Sequence, residues 1–112
     1  MKRDDICEVI ITAPDADWLA QFTTDLVTER LAACGQVIAP IRSIYRWQGE
    51  IYDVGEARVA LHTRISLVER IVEKTSRASR DHPYDVPCVI ATAVFAGNPS
   101  YLQWVHDETS DQ

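Results

Sequence analysis

Two long segments rich in β-branched and aromatic residues, Gln36–Trp47 and Glu50–Thr63, are separated only by Gln48-Gly49. Glycine accepts the positive φ that a two-residue hairpin turn requires, so the pair reads as one antiparallel β-hairpin. Each arm is more than twice the usual strand length of about five to six residues. Trp47, at the tip, therefore lies beyond the reach of the chain's own core and is placed to anchor on a neighbour. Val37, Ala39, Ile41, Ser43, Tyr45 and Trp47 alternate as one face of the outgoing arm. Pro40 has no N–H for a ladder and marks an edge or a bulge. Gly55 suggests an interruption of the returning arm.

The rest of the chain supplies partners for that hairpin. Cys7–Ala13 is a short β-branched run and reads as a strand. A helix is expected from about Asp15 to Ala33, with Trp18, Leu19, Phe22, Leu26 and Leu31 near one face and Gly35 as its stop. Ser66, with Glu69 three residues on, has capping-box spacing for a second helix. Its buried stripe is Leu67, Val68, Ile71, Val72 and Thr75. Two prolines make residues 81–87 a loop. Cys88–Phe95 reads as a fourth strand, and Gly97-Asn98-Pro99 opens a last short helix.

The order β-α-β-β-α-β, with right-handed crossovers, predicts an α+β, ferredoxin-like antiparallel sheet with both crossover helices on one face. Strand four contradicts a solvated second face. Val89, Ala91, Ala93 and Phe95 alternate with Ile90, Thr92 and Val94, so both its faces are largely apolar, whereas a water-facing antiparallel sheet alternates with polar residues. With no segment left over to cover the second face, another copy of the chain is the expected cover.

Composition narrows the function. The 112 residues are 46% hydrophobic and 25% charged, suiting one globular domain over residues 1–112 with its core at about 6–105. Lys and Arg total 11 against 17 Asp and Glu, a net charge of −6 that suits neither nucleic acid nor an anionic membrane. No apolar run approaches the roughly 20 residues needed for membrane insertion as a helix. The opening Met1-Lys2-Arg3-Asp4-Asp5 lacks a signal-peptide apolar stretch. Cys7, Cys34 and Cys88 form no C-x-x-C pair, so a reducing, cytoplasmic setting is expected. No nucleophile elbow or phosphate loop appears. Cys34 closes the first predicted helix, where the negative end of the dipole disfavours a thiolate nucleophile. A binding protein is expected, not an enzyme.

Four blocks together are specific: Arg30-Leu31-Ala32-Ala33-Cys34; Ser43-Ile44-Tyr45-Arg46-Trp47-Gln48-Gly49-Glu50-Ile51; His82-Pro83-Tyr84-Asp85-Val86-Pro87; and Gly97-Asn98-Pro99-Ser100-Tyr101-Leu102-Gln103-Trp104-Val105. In this order and spacing they resemble the CutA family of divalent-cation tolerance proteins, over about residues 7–105. The resemblance implies a homotrimer related in architecture to the PII signalling proteins, with long hairpins embracing neighbouring subunits and sheets lining the centre. It also implies metal tolerance and copper binding.

The copper site proposed for the family uses a cysteine in strand one and a His-His pair before Pro-Tyr. Here those positions hold Ile11 and Asp81-His82. His62 stands where the family commonly has Lys, and Cys88 where it commonly has Glu. The metal-ligand candidates are accordingly His82, Asp81 and Cys88, for copper or another divalent metal held weakly, with no organic cofactor. Imidazole and carboxylate suit copper(II) or zinc. The candidates for an inter-subunit cleft or interface are Arg30, Tyr45, Trp47, Tyr52, Glu56, Arg58, His62, Tyr84, Tyr101 and Trp104. Tyr and Trp are enriched at such surfaces. The other function open to this chain is a PII-like signalling module taking a small anionic metabolite in that cleft.

Overall fold

The computed structural model describes residues 2–78 and 86–110. Four strands, β1 (Ile6–Ala13), β2 (Cys34–Trp47), β3 (Glu50–Arg64) and β4 (Val89–Ala93), form one sheet in the order β2-β3-β1-β4. Every neighbouring pair is antiparallel. Helices α1 (Ala16–Thr28) and α2 (Val68–Ala78) are the crossovers, and α3 (Pro99–Glu108) closes the chain. This is the expected ferredoxin-like α+β arrangement.

The period of two in β1 divides the sheet into two faces. Cys7, Val9, Ile11 and Ala13 point to the first, opposite Thr63, Leu61, Val59 and Ala57 of β3. Leu19, Phe22 and Leu26 of α1, with Leu67 and Ile71 around the start of α2, bury against them. Asp15 caps α1, its side chain accepting from the amides of Asp17 and Trp18. Trp18 stacks on Phe22 with ring centroids 5.2 Å apart. Val72 faces out, outside the stripe expected for α2. That helix starts at Val68, one residue later than a Ser66 cap predicts, and Ser66 itself lies inside a 3₁₀ turn, Ile65–Leu67.

α1 stops at Thr28, well short of Ala33. Arg30 takes a positive φ of 63°, the left-handed turn usually given to glycine, and Leu31 returns its N–H to the Leu26 carbonyl at 2.9 Å. Gly35, expected to end the helix, instead lies in β2. A Cβ there would meet Thr23 Cγ2 at 2.4 Å and Leu61 Cδ2 at 2.9 Å, so glycine lets β2 pass close under α1. Cys34 likewise begins a strand, and the dipole argument against it falls away.

The hairpin turns at Gln48 (φ 49°) and Gly49 (φ 82°), as a two-residue turn with both φ values positive. β3 runs without interruption through Gly55. The irregularity is in β2: Ile38 pairs with Arg58, but Ile41 pairs with Glu56. One extra residue is accommodated around Pro40, on an edge strand where its missing N–H breaks no sheet ladder. The bulge splits the face expected of the outgoing arm. Val37 lies opposite Val59 on the first face, whereas Ile41, Ser43, Tyr45 and Trp47 lie opposite Glu56, Val54, Tyr52 and Glu50 on the second.

The chain itself covers part of the second face, against the expectation that no segment was left for it. α3 packs across one end of it, burying Val105 with Ile6 and Ala33 and leaning on Val94 through Leu102. Asn98 caps this helix by accepting from the Ser100 amide at 3.0 Å, with Pro99 in its first turn. Beyond α3 the cover is incomplete: Ile10 is buried, but Ile38 and Ile90 on the same face are both 58% exposed. β4 is shorter than expected, and Phe95 lies beyond it, fully exposed.

Candidate functional site

Pairing register places most of the predicted cleft residues on one line. Tyr52, Glu56, Arg58 and His62 share the second face of β3, with Tyr45 and Trp47 beside them on β2. The line is long. Ten residues separate Tyr52 from His62, roughly 33 Å at about 3.3 Å per residue, so a single chain does not gather them into one pocket.

At the tip, Tyr45 and Tyr52 stack with centroids 5.4 Å apart at 17°. Trp47 is 39% exposed beside them. On the opposite side of the same ribbon, Arg42 and Asp53 form a two-pronged pair at 2.9 and 2.7 Å. That guanidinium holds the Asp53 carboxyl below the usual carboxylate range. Midway, Glu56 is buried and Arg58 exposed.

At the base, side chains from four elements meet. Glu8 of β1 lies directly opposite His62 of β3, and His62 opposite Cys34 of β2. Tyr101 reaches down from α3. His62 Nε2 donates to Glu8 Oε2 at 2.9 Å, which leaves Nδ1 as an acceptor for the Tyr101 hydroxyl at 2.5 Å. Cys34 Sγ lies 3.3 Å from the same hydroxyl and 3.7 Å from Nδ1. Desolvation, then the bond to Cys34, then the charges of Cys34 and Glu8, push the Tyr101 phenol up to about 12. It stays a neutral donor at any ordinary pH. The Trp104 ring lies 5.7 Å from that of Tyr101.

Arg30 does not join this group. Its guanidinium donates to the Asp107 carbonyl at 2.7 Å, and its own carbonyl accepts from Ser110. Arg64, buried on the second face, donates to the Thr109 hydroxyl and carbonyl and to Asp4. Two cations therefore hold the C-terminal end of α3, where the helix dipole favours positive charge. Cys88 is exposed just before β4. His82, Asp81 and Tyr84 lie outside the described residues. Among the described residues no three His, Cys, Asp or Glu side chains gather around a metal position. Glu8 and Cys34 sit at opposite nitrogens of one imidazole and cannot share an ion. Sequence reasoning missed Glu8 entirely and placed Cys34 at the close of a helix, since only the strand register brings either to His62.

With this geometry, the chain matches the family model described as CutA1 divalent ion tolerance protein over residues 7–108. The chain belongs to this family. The divalent-cation tolerance protein CutA of Thermus thermophilus is 35% identical over 90% of this chain and 95% of its own. The mouse protein CutA is 38% identical over 93% of this chain. The chain spans about half the length of the mouse and Arabidopsis CutA proteins, 57% and 54%. Among solved structures, CutA1 from Oryza sativa superposes with a TM-score of 0.85 at 30% identity, covering 96% of each chain. The Thermus thermophilus protein gives 0.84 at 33%, covering 94% of this chain and 99% of that one. In family terms, the hairpin, the α3 cover and the His62 cluster all fall inside the matched region.

Proposed function

We propose that this chain is a single CutA-like domain that assembles as a cytoplasmic homotrimer and serves divalent-cation tolerance by binding, not by catalysis. The observation that carries the reading is the distal hairpin. Beyond Ala57, the last β3 residue paired with β1, the ribbon Ile41–Glu56 has no further strand beside it among the described residues, yet it exposes Ile44, Trp47, Ile51 and Tyr52. A monomer gains nothing by holding those side chains in water, whereas aromatic and aliphatic anchors that enter a neighbour's pockets dominate interface energetics. The bare Ile38 and Ile90 on the second face supply complementary apolar surface. In such an assembly Tyr45, Trp47, Tyr52, Glu56, Arg58, His62, Tyr84, Tyr101 and Trp104 line the cleft between subunits, and Arg30 braces it from behind α3.

Support for metal comes from the family and from residue chemistry. His82, with Asp81 and Cys88, offers one imidazole, one carboxylate and one thiol for copper(II) or zinc, held weakly. Light scattering at micromolar concentration should give three times 12.6 kDa. Calorimetry with copper(II) and with zinc should show binding that weakens in His82→Ala and as pH falls through about 6.5, because a ligating histidine must be neutral. A monomer would overturn the assembly. Absent metal binding would overturn the metal reading and favour a PII-like module, with exposed Arg58 available to an anionic metabolite.

A further inference from the structure

We propose that Cys34 is a reactive thiol, activated through Tyr101 by the His62–Glu8 pair, and that hydrogen peroxide converts it to a sulfenic acid. Proton accounting across the cluster carries the inference. His62 Nε2–H donates to Glu8 Oε2 at 2.9 Å, so Nδ1 has no proton of its own. The Tyr101 hydroxyl, 2.5 Å away, gives its single proton to that nitrogen. The phenol oxygen then turns only lone pairs towards Cys34 Sγ at 3.3 Å, so the thiol is the donor there. A continuous chain results, from the Cys34 thiol through the Tyr101 hydroxyl to His62 Nδ1, with the Glu8 carboxylate behind the ring. A nucleophile, a base and a third group orienting the base are the parts of an activated cysteine. Strand register and α3 bring them together from four elements.

Two protons move one place each. The thiol proton passes to the Tyr101 oxygen as the phenol proton passes to Nδ1. The thiolate, the reacting form of cysteine, is left accepting from the Tyr101 hydroxyl, and the imidazolium faces Glu8. Tyr101 suits a relay: desolvation first, then the bond to Cys34, push its phenol up to about 12, so it passes protons on without resting as a phenolate. The sulfur attacks one peroxide oxygen and the O–O bond breaks. The departing oxygen takes a proton from Tyr101, His62 replaces it, and water leaves. Sulfur loses two electrons and the peroxide gains two. The His62 side chain is only 15% exposed and Cys34 is half-buried, which favours a small reagent. Glu8 and the net charge of −6 disfavour an anionic one. Cys7 is the internal contrast. Burial pushes its thiol up to about 11, and it points to the other face of the sheet, where it cannot close a disulfide on Cys34.

The test treats the assembled protein with hydrogen peroxide in the presence of a metal chelator, which keeps the outcome independent of the His82 reading. Sulfenic acids are trapped with dimedone and each cysteine is read separately by mass spectrometry. Cys34 should outrun exposed Cys88 by about 100-fold, the low end of what positioned acid–base groups supply, while Cys7 stays unlabelled. Tyr101→Phe and His62→Gln should each bring Cys34 down to the Cys88 rate without altering that rate, which shows that the fold is intact. A wild-type Cys34 no faster than Cys88 would overturn the proposal, as would a Cys34 rate that neither variant changes. A faster Cys34 in Tyr101→Phe, the result of merely unmasking the thiol, would overturn it too.

Discussion

The two faces of the sheet share strands but not chemistry. On the first, every inward side chain of β1 is apolar and buried, and two helices cover it with Leu19, Phe22, Leu26, Leu67 and Ile71. On the second, β1 presents Ile6, Glu8, Ile10 and Thr12, β3 presents Arg64, His62, Arg58 and Glu56, and α3 covers one end only. Burial of continuous apolar surface drives folding, so the first face carries the stability of the subunit. Ionisable groups set between apolar ones are an expensive way to build a core, and on the second face they are held by partners within the chain: His62 pairs with Glu8, and Arg64 grips Thr109 and Asp4.

Truncation should separate the faces most sharply. Leu61→Ala, fully buried on the first face, should cost about 2–5 kcal/mol in urea unfolding. Ile90→Ala, exposed on the second, should cost far less within the subunit and instead make unfolding more dependent on protein concentration. Equal losses would abolish the distinction. Next in size, Trp47→Ala should weaken association by about 2 kcal/mol, read as earlier dissociation on dilution in light scattering. An assembly that resists dilution as well as wild type would make the hairpin tip irrelevant to it.

Asn98→Ala should remove the cap of α3 at a cost of about 1 kcal/mol, seen as faster amide exchange in that helix while α1 and α2 keep their protection. Smallest is a titration effect. Tyr101 ionises near 12, above the usual value of about 10. The folded state thus holds this proton more tightly than the unfolded one. The resulting stability is whole below pH 10 and is lost as pH rises towards 12. An ultraviolet absorbance titration should show a late-ionising tyrosine that disappears in Tyr101→Phe.

The first face was legible in the sequence because local patterns specify it. The alternation in Cys7–Ala13, the Leu19-Phe22-Leu26 spacing and the Gln48-Gly49 turn each say where side chains go without knowledge of the partner strand. Errors fell where a long-range contact overrules a local signal. Gly35 looks like a helix stop, but its missing side chain is needed because Thr23 and Leu61 pass so close. Arg30 looks like a binding cation, but it takes the left-handed turn and grips the end of α3. The Glu8–His62–Cys34 row depends on the register of three strands, and no spacing along the chain, 54 residues between Glu8 and His62 and 28 between Cys34 and His62, announces it.

The extra residue at Pro40 also acts as a phase shift in the numbering of the arm. Side chains alternate with a period of two, so odd-numbered residues of β2 face one way before the bulge and the other way after it. Val37 thus points to the helix-covered face and Tyr45 and Trp47 to the opposite one, while pairing with β3 keeps each residue across from its partner. One inserted residue lets two odd-numbered stretches of a single strand serve opposite sides of the sheet.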